Sequence, residues 1–262
     1  MIMFFIFLNF SLLVHSKNRF QIVTFLNGAY KDLLFNFVCN MEKLNLKNLL
    51  HVYMADATLN YYLEAKNISY TVIDSVNFHN KSSVYGHSDY WYISKQKTKA
   101  FKMAVQKYNV FLFTDVDVLF LKNPFETVGK MCMTDLCFQT DSRFGYGIVN
   151  SGFFFVKRTF NTISFFSEAL KLLNEPIFSK LGDQEILNHL LKTKEFSNIY
   201  SFLDKDKFRN GYNETIWTKT FLNSQHDVIV IHNNFIISIE KKIERFKKIS
   251  SWYVHDENCY FG

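Results

Sequence analysis

From Gln21 onward the chain alternates short apolar runs with longer stretches whose apolar positions recur every three or four residues. QIVTFL, LLHVYMA and SYTVIDSV read as strands; AYKDLLFNFVCNMEKL, and the polar-faced segment between the second and third of those runs, read as helices. From Tyr92 to Tyr108 the period is helical, with Ile93, Ala100, Phe101, Ala104 and Tyr108 on one stripe, and this stretch feeds directly into VFLFTDVDVLFL. That run is dense enough in Val, Leu and Phe to form one strand buried on both faces. LCFQT and GIVNSGFFFVKR continue the series, helices are predicted over about 159–174 and after Gly182, DVIVIHNNF is a late strand, and IEKKIERFKKI is a closing helix. Elements in this order predict an α/β sandwich around a largely parallel sheet flanked by helices.

A length of 262 residues with 48% hydrophobic content suffices for one sizeable core and is too short for two. No repeat or linker interrupts the pattern, so residues 20–256 read as a single domain. The net charge of +6 is scattered, and the densest basic cluster, Lys241 to Lys248, also holds Glu244, so charge does not point to nucleic acid. Residues 1–16 contain MIMFFIFLNFSLLV, which is shorter than the roughly 20 apolar residues that span a bilayer. They read as a signal peptide or short signal anchor, with Lys17 and Arg19 after the apolar run and no basic residue before it. Secretory targeting is expected, and membrane association through this segment stays open. Sequons at Asn67, Asn80 and Asn213 and an even set of cysteines, Cys39, Cys132, Cys137 and Cys259, agree with a lumenal chain. The pairing of the cysteines cannot be deduced from their spacing. Zinc is not indicated, because no paired His or second close Cys pair accompanies Cys132 and Cys137.

Candidate chemistry centres on FTDVDVLF. In a strand, side chains two apart share a face, so Asp115 and Asp117 would project together from Cα atoms roughly 7 Å apart. Paired charges beside an apolar run cost desolvation unless a cation or hydrogen bonds compensate them; Mn²⁺ or Mg²⁺, which accept oxygen from carboxylates and a diphosphate together, suit the pair. The plain alternative is a strand-end turn facing water. Lys97 falls within the apolar stripe of its helix, where it either snorkels to the rim or meets an anion such as a diphosphate leaving group. His232 closes an apolar strand, at the end where open α/β sheets place ligands, although a hydrogen-bonded core histidine also fits. Asp183 opens a helix and could simply cap it, and Asn150-Ser151-Gly152 is ordinary turn chemistry. Thr24, Asn27 and Tyr30 lie on or just after the first strand, near enough to touch a base or to serve as core contacts.

WYISKQKTKAFKMAVQKYNVFLFTDVDVLFLKNPF resembles the central block of the nucleotide-diphospho-sugar transferase family, which includes plant cell-wall xylosyl- and arabinosyltransferases. VNSGFFFVK, GDQEILNHLL, FRNGY and VIHNNFI resemble later motifs of the family in the same order, so that the resemblance covers about 21–253. It implies a GT-A-type, Rossmann-like fold and a metal-dependent transferase that takes a sugar from a nucleotide-diphosphate donor to a glycan or glycoprotein acceptor in the Golgi lumen. By the same resemblance Asp117 binds the metal, Asp115 binds the metal or the donor ribose, and His232 is a third ligand. Asn150, Ser151 and Gly152 lie against the donor sugar, and Asp183 and Gln184 contact the transferred sugar or the acceptor. Retention of anomeric configuration is implied. Two other readings compete: a catalytically inactive transferase fold kept as a lumenal binding protein, and metal-dependent phosphoryl or nucleotidyl transfer, for which the Gly-rich phosphate loop is missing.

Overall fold

Strand β1 (Gln21–Leu26) sends Ile22 and Leu26 to one side of the sheet and Val23 and Phe25 to the other, none of them more than 5% exposed. A strand with both faces apolar must be covered on both, and the computed structural model of the chain, which describes residues 20–73, 88–224 and 226–261, shows how. The leader, the sequon at Asn80 and the end of SYTVIDSV lie outside the described residues. After β1 come α1 (Lys31–Lys43), β2 (Leu50–Met54), α2 (Asn60–Ala65), β3 (Ser69–Val72), α3 (Ser88–Lys107) and β4 (Val110–Thr114). Strands β3, β2, β1 and β4 are parallel neighbours in that order.

The middle of the chain supplies β5 (Val118–Phe120), α4 (Phe125–Met131), β6 (Leu136–Thr140), β7 (Val149–Lys157), α5 (Phe160–Leu172), α6 (Asp183–Leu190) and β8 (Tyr200–Phe202). β7 runs antiparallel between β4 and β6, and β8 pairs parallel with β6, completing a seven-stranded sheet in the order β3-β2-β1-β4-β7-β6-β8. Alternation persists to its centre: Phe153 and Phe155 of β7 face the same side as Ile22, whereas Phe154 and Val156 join Phe101 of α3 and Phe166 of α5 on the other. A capping box at Thr159 and Thr162 starts α5 where the sequence turns helical.

The last quarter holds β9 (Phe208–Arg209), α7 (Lys219–Ser224), β10 (Val230–His232), α8 (Ile239–Lys248), β11 (Val254–His255) and β12 (Asn258–Cys259). Disulfides join Cys39 of α1 to Cys259 of β12 and Cys132 to Cys137.

One expectation needs correction. VFLFTDVDVLFL is two strands: β4 ends at Thr114, and β5 belongs to a separate three-stranded sheet, β5-β10-β9. The side-chain amide of Asn40 on α1 explains the switch, since it donates to the carbonyl of Phe120 at 2.9 Å and accepts from its N–H at 2.8 Å, replacing a ladder partner. Asp115 to Asp117 therefore form the crossover between two sheets and do not obey strand alternation.

Candidate functional site

At the carboxyl ends of β1 and β4 a cavity of about 410 Å³ opens. Asn27 and Tyr30 line it from the segment after β1, Lys97 from α3, Asp115 and Asp117 from the crossover, and Lys242 from α8. Abandoning the strand does not separate the two carboxylates: Asp115, Asp117 and His232 each offer a ligand atom, all within 4.8 Å of one another. Gly152 lets them meet, because a Cβ at that residue would lie 2.3 Å from Oδ2 of Asp115 and 2.7 Å from Cε1 of His232.

His232 is held in one orientation. Gln139 on β6 donates from Nε2 to the carbonyls of Phe208 and Arg209, at 3.3 and 2.9 Å, so its Oε1 accepts from Nδ1–H of His232 at 2.9 Å. Nε2 of the imidazole then faces Oδ1 of Asp117 at 3.2 Å, where a proton or a cation can join the two. Two ligand atoms converging at a buried site, one of them on an imidazole oriented by a backing amide, suit a shared cation in place of that proton. The residues present thus fit a divalent ion with oxygen and nitrogen ligands.

Lysines balance the carboxylates. Nζ of Lys97 lies 2.8 Å from Oδ1 of Asp115 and 3.4 Å from Oδ2 of Asp183, and Lys242 pairs with Oδ2 of Asp117. Burial alone would push the Asp117 carboxyl up, but Lys242 and then His232 outweigh it and hold the group well below the usual carboxylate range. For Lys97 burial works downward, and Asp115 and Asp183 prevail, raising it above an ordinary lysine. Asp183 resists its burial through Lys97 and the hydroxyl of Ser94, which donates to its Oδ1 at 2.6 Å, and its pKa is lowered. Lys97 does not snorkel to the rim but meets the carboxylates of Asp115 and Asp183, and the N-cap of α6 is Gly182, so the Asp183 carboxylate is turned toward Ser94 and Lys97.

Asp141, just beyond β6, gathers the rest. Its Oδ1 accepts from Nδ2 of Asn150 at 2.6 Å and of Asn234 at 2.7 Å, and its Oδ2 from Nε2 of Gln184 at 2.8 Å. Gln184 accepts the N–H of Ser151 at 3.2 Å, and Asn150 accepts that of Gly152 at 2.7 Å. Ser151, Asp183 and Gln184 reach the cavity wall, whereas Asn150 points at Asp141 and does not line the cavity. Thr24, expected near the base, is fully buried within β1 and does not line the cavity. Gln139, Asp141 and Lys242 went unpredicted. The first two carried a signal, since a glutamine inside the apolar LCFQT followed at once by an aspartate is polar where a core strand should be apolar. Lys242 carried none among the lysines of IEKKIERFKK.

Residues 45–246 match the nucleotide-diphospho-sugar transferase family. Across 92% of its length the chain is 26% identical to the beta-arabinofuranosyltransferase RAY1 of Arabidopsis thaliana and 24% identical to the UDP-galactose:fucoside alpha-3-galactosyltransferase of Dictyostelium discoideum, covering 49% and 44% of them. It thus spans about half the length of the curated relatives it matches. Among solved structures it resembles the glycosyltransferase GlyE of Streptococcus pneumoniae, with a TM-score of 0.56 and 16% identity over 92% of this chain and 61% of that one. It also resembles the galactosyltransferase LgtC, with a TM-score of 0.51 and 14% identity over 90% of this chain and 98% of that one. These likenesses show a GT-A-type fold. Because the match spans 45–246 and takes in Lys97, Asp115, Asp117, Asp183 and His232, the chain belongs to the nucleotide-diphospho-sugar transferase family.

Proposed function

We propose that this protein is a divalent-cation-dependent glycosyltransferase that moves a hexose or pentose from a nucleotide-diphosphate sugar to a glycan or glycoprotein acceptor, with retention at the anomeric carbon. The observation that carries the proposal is the convergence of Asp115 and Asp117, on the wall of a cavity that also holds two lysines, with His232 buried directly behind them. Mn²⁺ or Mg²⁺ suits that ligand set. When bound there, the ion would supply Lewis-acid neutralisation of the departing diphosphate. Lys97, fixed between two carboxylates, adds positive charge on the same wall without having to reorganise.

Asn27 and Tyr30 line the cavity beside the end of β1 and are placed to meet the nucleoside. Ser151 on the cavity wall lies against the donor sugar, and Gly152 behind it leaves room for Asp115 and His232, with Asn150 holding the N–H of Gly152 in place. Asp183 and Gln184 contact the transferred sugar or the acceptor. Asp183 is already committed to Ser94 and Lys97, and Gln184 is a neutral amide, so neither is poised as a nucleophile. That favours departure and attack on the same face of the sugar.

Residues 20–256 act as one GT-A domain in this reading. All four cysteines are paired, which supports an oxidising compartment, and we assign the chain to the secretory pathway, in the Golgi lumen. Among the described residues no helix is long and apolar enough to cross a membrane.

The test is release of nucleoside diphosphate from a panel of nucleotide sugars, with Mn²⁺, with Mg²⁺ and with chelator. Asp117→Asn keeps an oxygen for Lys242 while removing the ligand charge, and turnover should fall at least about 100-fold with the circular dichroism spectrum unchanged. Full activity in the variant, or equal activity under chelation, rules the assignment out. NMR of the product settles stereochemistry, and an inverted anomer overturns retention.

A further inference from the structure

Lys242 and a divalent ion need the same side chain. The ammonium pairs with Oδ2 of Asp117, while Oδ1 of that carboxylate faces Nε2 of His232 at 3.2 Å, and the side chains of Lys242 and Asp117 are only 14% and 8% exposed. The backbone beneath this pair is fixed. Nδ2 of Asn233 donates to the carbonyl of Lys242 at 2.9 Å, and the N–H of Asn233 donates to the carbonyl of Asp117 at 2.9 Å. Helix α8 is further anchored by Phe246, buried in the core, and by Arg245, whose guanidinium donates to Asn233 Oδ1 and the carbonyl of Gly211 at 3.2 and 3.3 Å. What can move is therefore the lysine side chain, on a fixed stem, beside an open cavity.

Lys97 differs in one respect. It is shared between Asp115 and Asp183, so losing part of Asp115 to a cation still leaves it an anion. Among the described residues, the only carboxylate within ion-pair distance of Lys242 is Asp117, the one a cation must take. Asp115, Asp117 and Asp183 against Lys97 and Lys242 give these ion-paired side chains one net negative charge. A divalent ion alone would make that sum positive and press on a partly desolvated ammonium. A diphosphate reverses the sign and offers Lys242 a new partner within the same cavity.

We propose that Lys242 makes cation and diphosphate binding depend on each other: it competes with the divalent ion for Asp117 and gives way when a nucleoside diphosphate takes its ammonium. This rests on the donor-site reading above. Coupling of this kind is reciprocal, so the cation must strengthen nucleotide binding by the same factor.

Free Mn²⁺ counted by electron paramagnetic resonance, titrated with and without UDP and corrected by protein-free Mn²⁺–UDP blanks, tests this on the folded full chain. In the wild type UDP should tighten Mn²⁺ binding by about ten-fold or more. Lys242→Met keeps the length of the side chain and loses the charge; it should bind Mn²⁺ alone about ten-fold tighter than the wild type, with the enhancement by UDP clearly reduced to the part that direct ligation of the ion by the diphosphate supplies. Lys242→Arg, which keeps the charge, should keep the coupling and guards against a folding defect in the methionine variant. If the methionine variant binds Mn²⁺ no tighter than the wild type, or if its coupling to UDP is unchanged, the proposal is wrong while the donor site stands. If the wild type binds neither Mn²⁺ nor UDP, the donor site falls and the coupling with it.

Discussion

A methyl group at residue 152 would stand 2.3 Å from one ligand side chain and 2.7 Å from another, so Gly152 is required here for the space it leaves. In Gly152→Ala, Asp115 and His232 would both have to move, and neither is free to do so. Lys97 holds Asp115 from one side, and Gln139 holds His232 from the other. The expected outcome is a loss of cation affinity of at least about ten-fold, within the range for disturbed ligand orientation, with stability lowered by roughly 1–3 kcal/mol. Mn²⁺ titration and denaturant unfolding of the variant would check both parts. Legibility at this scale followed chemistry that repeats locally. Two aspartates at fixed spacing and a histidine ending an apolar run can be seen in a string of letters. Asp141 could not be assigned a role that way, since its partners Asn150, Gln184 and Asn234 are brought to it only by three different segments of the fold.

Periodicity located the elements well because strands covered on both faces and amphipathic helices leave strong patterns, as in β1, β7, α5 and α8. It failed at VFLFTDVDVLFL, where Val118, Leu119 and Phe120 are as apolar as Phe111, Leu112 and Phe113. Hydrophobicity says that a residue is buried without saying in which sheet, and the deciding contact, Asn40 on Phe120, spans 80 residues. The two disulfides act at the same scale and unequally. Cys39–Cys259 ties α1 to the terminal hairpin across a sequence separation of 220, whereas Cys132–Cys137 closes a separation of 5. The chain-entropy relation assigns about 5 kcal/mol to the first and about 2 kcal/mol to the second. Removing the first pair by Cys39→Ala with Cys259→Ala should therefore lower Tm more than Cys132→Ala with Cys137→Ala, by roughly 6–12 °C for a chain of this size. Thermal unfolding of the two double variants, side by side, measures that difference.

Across the whole molecule the site draws on residues from Asn27 to Lys242, and for that reason the sequence showed its ingredients and not its wiring. Composition had the same limit: it marked a single sizeable core, while the way one sheet divides that core into two apolar layers emerged only from the structure. Global stability depends on pH through a group remote from the cavity. His51 on β2 is wedged between the hydroxyls of Ser69 and Thr71, at 2.7 and 3.1 Å, and burial, aided by Lys107, lowers its pKa from 6.5 to about 4. Below pH 6.5 the unfolded chain therefore takes up a proton that the folded chain refuses until about pH 4. The sign follows: stability conferred by the neutral imidazole is complete above pH 6.5, is lost as pH falls toward 4, and changes no further below that. At its steepest the loss is about 1.4 kcal/mol per pH unit. Urea unfolding at a series of pH values between 7 and 4 should show this decline, and His51→Gln, which can still hydrogen-bond both hydroxyls but does not titrate, should flatten it. An equal decline in the variant would mean that acid acts through other groups, and that the imidazole is not what makes this edge of the sheet sensitive to protons.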